Sequence, residues 1–258
     1  MKIAVCVKMV PETRRLDPAT KRLDRGAGEA ALSPFDLQPV EEALRIKERE
    51  GEGTEVVLVS LGPDRALDAL RKGLAMGADR AVLVSDEGAA GSDLLATAAA
   101  LGSALERENA DLVLFGQQSG DGEGAVLWAA IAERLRRPVI SQVAELTVEG
   151  GSVRGKRQTE FGYDVIQAPL PAVVAVSDAI NEPRYPSLKG IMGAKRKPQE
   201  TVTLGDLGVD AAAVGEQGSQ TEVYALNAPP PRGDTQKIED DGTGAEQIVA
   251  FLAEKRLI

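Results

Sequence analysis

Leu112-Val113-Leu114-Phe115, followed by Gly116-Gln117-Gln118-Ser119-Gly120-Asp121-Gly122-Glu123-Gly124, decides how this chain folds. The first four residues are an unbroken apolar run, the pattern of a strand buried on both faces of a parallel sheet. Four glycines follow within nine positions, and a helical pattern over about 124–137 is stopped by Pro138. Strand, glycine-rich turn and helix make half of a βαβ unit. The same alternation extends outward, through apolar runs at 3–10, Glu55–Leu61, 81–85 and 139–146. Between them, Val40, Ala43, Leu44 and Lys47 set a stripe beside a polar Glu41/Glu42/Arg45 face. A second helix opens at Pro63-Asp64, carries Leu67, Leu70 and Leu74, and closes at Gly77. A third begins at Ser92 as N-cap and runs to about Asn109. Such alternation implies right-handed crossovers and a sheet covered on both faces.

The pattern changes after about residue 146. Gly150-Gly151 reads as a hairpin turn, and Val153, Val165 and residues 172–176 predict antiparallel strands added at the sheet edge. Residues 181–198 show no clear period. Residues 199–243 are polar and broken by Pro229-Pro230-Pro231 and Gly233, which predicts an extended arm, and an amphipathic helix over 245–257 carries Ile248, Val249, Leu252 and Leu257. The expected fold is α/β: a mostly parallel sheet with antiparallel edge strands over 1–198, and a C-terminal arm over 199–258.

Bulk composition removes several function classes. The chain has 258 residues, 43% hydrophobic and 27% charged, as an ordinary globular protein does. No apolar run approaches the roughly 20 residues of a membrane-spanning helix. Met1-Lys2-Ile3-Ala4-Val5-Cys6-Val7 runs at once into Lys8, so it reads as a strand rather than a signal peptide, and a cytoplasmic protein is expected. One cysteine and no histidine exclude an internal disulfide, the usual zinc and iron–sulfur sites and the histidine-based triads. A net charge of −10 and 3% aromatic residues argue against nucleic-acid binding.

In a parallel α/β sheet, ligands bind beyond the carboxyl ends of the strands. The loops at 8–13, 61–64 and 116–124 qualify. The last is the most informative, because its glycines let backbone N–H groups approach a phosphate at a helix N-terminus. Its spacing is neither the dinucleotide fingerprint nor a P-loop, and a glycine-rich surface loop is the plainer alternative. Gly26-Ala27-Gly28-Glu29-Ala30-Ala31 imitates a dinucleotide fingerprint, but no strand precedes it, so it reads as a loop. Ser33-Pro34-Phe35-Asp36 precedes a helix and either caps and packs it or presents Phe35 to a planar ligand. Cys6 reads as a small core residue. Lys195-Arg196-Lys197 is a solvated basic run or, in so acidic a chain, a docking site.

Ordered motifs along nearly the whole chain point further. They include Val5-Cys6-Val7-Lys8, Ser33-Pro34-Phe35, Val40-Glu41-Glu42-Ala43-Leu44, Leu74-Ala75-Met76-Gly77-Ala78-Asp79-Arg80 and Asp111-Leu112-Val113-Leu114-Phe115-Gly116. The most specific is Asn181-Glu182-Pro183-Arg184-Tyr185-Pro186-Ser187-Leu188, continuing through Gly190-Ile191-Met192 to Ala194-Lys195. Arg157-Gln158-Thr159-Glu160-Phe161-Gly162-Tyr163-Asp164 matches the signature before a Leu-Pro-Ala-Val-Val strand, departing at Phe161 and Asp164. In these residues the chain resembles electron-transfer flavoprotein beta subunits.

The resemblance implies that the α/β domain is a nucleotide-binding domain of the adenine-nucleotide hydrolase-like kind. It further implies a heterodimer with an alpha subunit that holds most of the redox FAD, an arm that wraps that subunit, and a structural AMP bound by this chain. It implies an electron carrier without bond chemistry of its own. Flavin dehydrogenases, acyl-CoA dehydrogenases among them, would supply the electrons, and electron-transfer flavoprotein quinone reductase would receive them. The AMP positions carry over to Cys6, Ser33, Pro34, Phe35, Asp36, Leu61 and the loop from Gly116 through Ala125, Val126 and Leu127, with Phe35 also near the flavin. Leu188 matches the leucine that anchors the partner dehydrogenase, with Tyr185, Ile191 and Met192 beside it and Lys195, Arg196 and Lys197 steering the encounter. One departure bears on the nucleotide. Many members carry Asp-Gly-Asp-Thr or a related polar run, and a later Gly, in this loop. Here Gly124, Ala125 and Val126 follow Glu123, and Trp128 takes the later Gly position. A phosphate-facing hydroxyl is missing, so backbone amides must do more of that work. AMP is favoured, and a second FAD, as in the bifurcating class, stays open. A stress-type ATP-binding protein of the same fold is the competing class, but it leaves the arm and residues 181–197 without purpose. An adenylating enzyme would need a Ser- and Gly-rich loop where Lys8-Met9-Val10-Pro11-Glu12-Thr13 stands.

Overall fold

The computed structural model describes residues 1–26, 28–231, 237 and 239–258, so Ala27 and Gly233 lie outside the described residues. In chain order the elements are β1 (Lys2–Cys6), β2 (Met9–Pro11), β3 (Leu16–Asp17), β4 (Arg22–Leu23), β5 (Ala30–Leu32), α1 (Pro34–Glu50), β6 (Glu55–Leu61), α2 (Ala66–Met76) and β7 (Arg80–Val84). Then come α3 (Leu94–Glu108), β8 (Leu112–Gly116), α4 (Leu127–Leu135), β9 (Val139–Glu149), β10 (Ser152–Thr159), β11 (Gly162–Pro169) and β12 (Ala172–Val176). The chain closes with α5 (Leu188–Ala194), β13 (Gln199–Val202), α6 (Gly215–Gly218) and α7 (Gly244–Glu254). Two units result, Met1–Val223 and Tyr224–Ile258.

Among the described residues, nine strands of the first unit form one sheet in the order β11-β10-β9-β12-β8-β1-β6-β7-β13. From β9 to β13 in that order every pairing is parallel, and only the pairings of β10, with β9 and with β11, are antiparallel. The unbroken apolar runs follow from this architecture. Ile3, Val5, Leu58, Leu112 and Leu114 face the layer that holds Val40, Leu44, Leu70 and Leu74. Their alternate neighbours Ala4, Val57, Val59, Val113 and Phe115 face the layer of Leu101, Leu105 and Ile131. Successive side chains point to opposite faces, so a strand covered on both sides needs apolar residues throughout.

The structure corrects six expectations. Residues 172–176 are not an edge addition: β12 lies between β8 and β9, parallel to both, and all five of its residues are buried. The run at 3–10 breaks after Cys6, and Met9–Pro11 pairs with Ala30–Leu32 in a separate ribbon. Asp93 rather than Ser92 caps α3, its carboxylate accepting from Ala96 N–H at 2.9 Å. The fourth helix starts at Leu127, which lengthens the loop before it. Glu41 and Glu42, expected on a solvated face, are buried and ion-paired to Arg184, Arg45 and Arg49. Finally, Gln199–Val202 pairs with β7, and Leu204 and Val214 are buried beside it, so the first unit runs to Val223 rather than residue 198.

In the second unit, Thr243 occupies the N-cap of α7. Ile248, Val249 and Phe251 on that helix are exposed.

Candidate functional site: a cavity at the switch point of the sheet

Strands β6 and β7 lie on one side of β1 and β8 on the other, so the direction of winding reverses at β1. Ligands of open α/β sheets bind at this point, beyond the strand carboxyl ends. A cavity of about 310 Å³ opens there. Cys6 and Lys8 at the end of β1, Leu61 of β6 and Phe115 and Gly116 of β8 form its floor, with Asp36 of α1. Gln118, Ser119, Gly122 and Gly124 supply one wall. Ser92, Asp93, Leu94, Thr97 and Leu101 supply another, and Leu127 and Trp128 close it.

Local sequence explains how the loop holds its shape. Gly116 is required, because a Cβ there would lie 2.2 Å from the Phe35 carbonyl oxygen. The first turn of α1 can cross the end of β8 only over a residue without a side chain. The loop folds on itself, with Ser119 N–H donating to Gly124 O at 3.2 Å and Glu123 N–H donating to Ser119 O at 3.1 Å. Its left-handed residue is Glu123, with φ of 53°, and not one of its glycines. Arg14 braces that turn, donating to Glu123 Oε1 at 2.9 Å and to Gly120 O at 2.5 Å.

Asp121 is the electrostatic centre of the loop. Its fully covered carboxylate receives Lys8 Nζ and Arg25 Nε, each at 2.7 Å. Burial pushes this carboxyl up, and Lys8 and Arg25 more than reverse it, holding it below its ordinary value. Asp36 behaves oppositely. Burial dominates and lifts its carboxyl to about 8, against the hydrogen bond from Lys8 N–H at 2.7 Å. The Cys6 thiol is pushed well up, first by burial and then by Asp36, so it is an inert core group at the cavity floor. Ser33 Oγ is buried, with no hydrogen-bond partner among the described residues, and it sits against Gly120.

Cys6, Asp36, Leu61, Gly116, Gln118, Ser119, Gly122, Gly124 and Leu127 thus come together in the cavity walls. Ser33, Pro34, Phe35, Gln117, Gly120, Asp121, Glu123, Ala125 and Val126 stand outside them. Pro34 is exposed, Phe35 is half-buried, and Gln117 accepts Trp128 Nε1–H on its carbonyl at 3.3 Å. Sequence reasoning reached Lys8 only as the first residue of the 8–13 loop and missed Asp93, Thr97 and Trp128 as wall residues. The signal for Asp93 was available, since 85–93 is a fourth loop at a strand carboxyl end. Asp93 also fastens the chain leading out of the unit, its carboxylate accepting from Gln220 N–H at 2.7 Å and from Thr221 N–H and Oγ1 at 3.0 Å. A wider groove of about 920 Å³ adjoins the cavity and shares Ser92, Asp93 and Gly122 with it.

The cavity is of small-molecule size. Its volume is at the low end of the roughly 300–1,000 Å³ of small-molecule sites. Its walls are largely apolar, with Lys8, Asp36, Asp93 and a few hydroxyl and amide groups among them, and Gly116, Gly122 and Gly124 expose backbone to it.

A separate face carries Tyr185, Leu188, Ile191 and Met192, all exposed, Leu188 at 73%. Ser187 caps α5, its hydroxyl accepting from Gly190 N–H at 3.1 Å. Lys195 and Arg196 are exposed here, but Lys197 is turned inward. Its ammonium donates to the carbonyls of Leu74 at 2.8 Å and Ala78 at 2.5 Å, so its charge is committed to the end of α2 rather than to steering.

Comparison with known proteins agrees with this architecture. The electron transfer flavoprotein domain model matches residues 21–207. Electron transfer flavoprotein subunit beta of Mycobacterium leprae (strain TN) is 42% identical over 263 residues, covering 99% of each chain. The same subunit of Megasphaera elsdenii is 37% identical over 271 residues and all of both chains. Caffeyl-CoA reductase-Etf complex subunit CarD of Acetobacterium woodii is 38% identical, over 99% of this chain and 97% of its own.

Proposed function

The chain belongs to the electron transfer flavoprotein family as a beta subunit, and from that premise we propose that it carries AMP in the switch-point cavity and shuttles electrons as one half of an alpha–beta heterodimer. FAD, held mainly by the alpha subunit, supplies the one- and two-electron chemistry. Electrons enter from flavin dehydrogenases, acyl-CoA dehydrogenases among them, and leave to a membrane-bound electron-transfer flavoprotein quinone reductase. This chain's residues do no acid–base work on a substrate. They bind the nucleotide, present a docking face through Leu188, and extend the second unit onto the alpha subunit, where exposed Ile248, Val249 and Phe251 offer an apolar helix face.

The observation that carries the nucleotide reading is the cavity itself, lined by the glycine backbone of the 116–124 loop, by Lys8 and by largely apolar walls, with Asp121 and Arg25 bracing Lys8 from outside it. The adjoining groove favours one alternative, the bifurcating type, in which a second FAD occupies the cavity and reaches into the groove. Denaturing the purified heterodimer and chromatographing the released nucleotides decides between them. One AMP and one FAD per heterodimer support the first reading and two FAD the second. A heterodimer with FAD and no further nucleotide refutes both.

A further inference from the structure

The approach to α5 is built so that it cannot hold its place by backbone pairing. Residues 181–187 contain Pro183 and Pro186, which have no N–H to donate, and the segment lies between β12 and α5 outside any strand. It is fastened to α1 instead through side chains. Asn181 Nδ2 donates to Gln38 O at 3.1 Å and Glu42 Oε2 at 3.2 Å. Arg184 is the main fastening. Its Nε and Nη2 grip the two oxygens of Glu41 at 2.7 and 3.1 Å, and its backbone N–H reaches Glu41 Oε2 at 3.1 Å. Its Nη1 and Nη2 take the two oxygens of Glu48 at 2.6 and 3.1 Å. One planar guanidinium thus makes two paired, charge-assisted grips on a single helix. The Glu41 side chain is only 4% exposed. Burial pushes its carboxyl up and Arg184 brings it back below its ordinary value, so the pair is charged on both sides.

The far side of the segment is equally constrained. A Cβ at Gly190 would lie 2.2 Å from the Ala75 carbonyl oxygen, so α5 seats directly on the backbone of α2. Lys197 then ties the exit of α5 to the end of α2. Tyr185, Leu188, Ile191 and Met192 therefore stand on a short element held at both ends, with Arg184 as the clamp at the entry.

We propose that Arg184 is a positioning residue for redox-partner docking, its grip on Glu41 and Glu48 fixing the orientation in which the apolar face around Leu188 meets a partner. This rests on the docking role given above to Leu188. Without the clamp, residues 185–187 are free to wander and must be ordered at each encounter, which costs affinity but leaves electron transfer in the docked complex alone.

The test uses the alpha–beta heterodimer and the acyl-CoA dehydrogenase that reduces it fastest. Arg184→Gln should raise the KM for the flavoprotein about tenfold, the cost of ordering roughly one backbone residue. The kcat, flavin content and heterodimer elution should not change, because Arg45 still pairs Glu41 at 2.9 Å. Hydrogen exchange over 185–194 should quicken, and Arg184→Lys, which keeps charge but not the fork, should fall between. Glu41→Gln added to Arg184→Gln should cost little more than Arg184→Gln alone. A wild-type KM in Arg184→Gln while Leu188→Ala raises it overturns the clamp and leaves the docking role standing. Unchanged KM in both removes the docking role and the clamp with it. A raised KM accompanied by lost flavin and a lowered kcat marks a merely structural arginine and overturns the proposal.

Discussion

Asp36 is where pH should act on this molecule first. Its side chain is buried at the cavity floor, and burial lifts its carboxyl from its ordinary value near 3.8 to about 8. The Lys8 N–H bond and the Lys8 charge oppose that rise, and Asp121 adds to it. At neutral pH the folded chain therefore holds a proton there that the unfolded chain has already lost. Between the two values the native state binds more protons, so stability falls as pH rises, by about 1.4 kcal/mol per pH unit. The contribution is fully present below pH 4 and gone once the pH passes about 8. From pH 6 to pH 8 the loss amounts to roughly 2–3 kcal/mol, a large share of ordinary stability. Asp36→Asn removes the ionisation and keeps an oxygen to accept from Lys8 N–H. Urea unfolding of wild-type and variant heterodimers at pH 6, 7, 8 and 9 checks this. Wild type should lose ground against the variant up to about pH 8, after which the gap should hold steady. Cys6 is present in both proteins, and burial, the first cause of its raised thiol, is left in place by the substitution. A gap that is the same at pH 6 and pH 9 refutes the reasoning, because the carboxyl would not be titrating in that window.

Three further outcomes are expected. Gly116→Ala puts a methyl 2.2 Å from a main-chain oxygen that only a shift of α1 can relieve. A loss of about 1–3 kcal/mol, seen as a melting temperature lower by roughly 3–10 °C, should accompany loss of nucleotide. Leu188→Ala removes a side chain that is 73% exposed and lies outside the buried core. The melting temperature should stay within a degree or so of wild type, and dehydrogenase affinity should drop roughly five- to thirty-fold, for about 1–2 kcal/mol of lost leucine burial. Ending the chain after Val223 should leave the first unit folded, by circular dichroism, and abolish co-elution with the alpha subunit, whereas a shortened chain that still co-elutes excludes the second unit as the docking arm.

What the sequence revealed was set by how locally each feature is encoded. The buried strands were legible because a two-sided sheet demands apolar residues at every position, a signal contained in five consecutive letters. Residues 172–176 carry that same signal, yet read as an edge strand because they follow an antiparallel hairpin. Only the long-range pairing of Val174 with Leu114 and Ile140 puts them in the interior. Glu41 and Glu42 look solvated because their partners, Arg184 and Asn181, lie about 140 residues away in sequence. The cavity floor was legible in Leu61 and Gly116, each at the end of a recognisable strand, whereas Cys6 lies inside the apolar run at 3–10 and is reached only through the family resemblance. The roles of Lys8 and Arg25 were not, because they exist only once Asp121 folds between them. Residues 199–223 look like tail by composition, and β13 is recognisable only against its partner β7.

The chain contains a single tryptophan, and Trp128 stands in the wall of the cavity with its indole N–H held by the Gln117 carbonyl. Its emission is consequently a local optical probe that needs no label. Adenine absorbs no light at the wavelengths where indole emits, whereas an isoalloxazine ring does and drains the excited state by resonance energy transfer. The difference spectrum between wild type and Trp128→Phe, followed while the nucleotide is stripped, therefore separates the two candidate occupants. A modest change in intensity on stripping identifies adenylate, and a several-fold rise in emission identifies flavin.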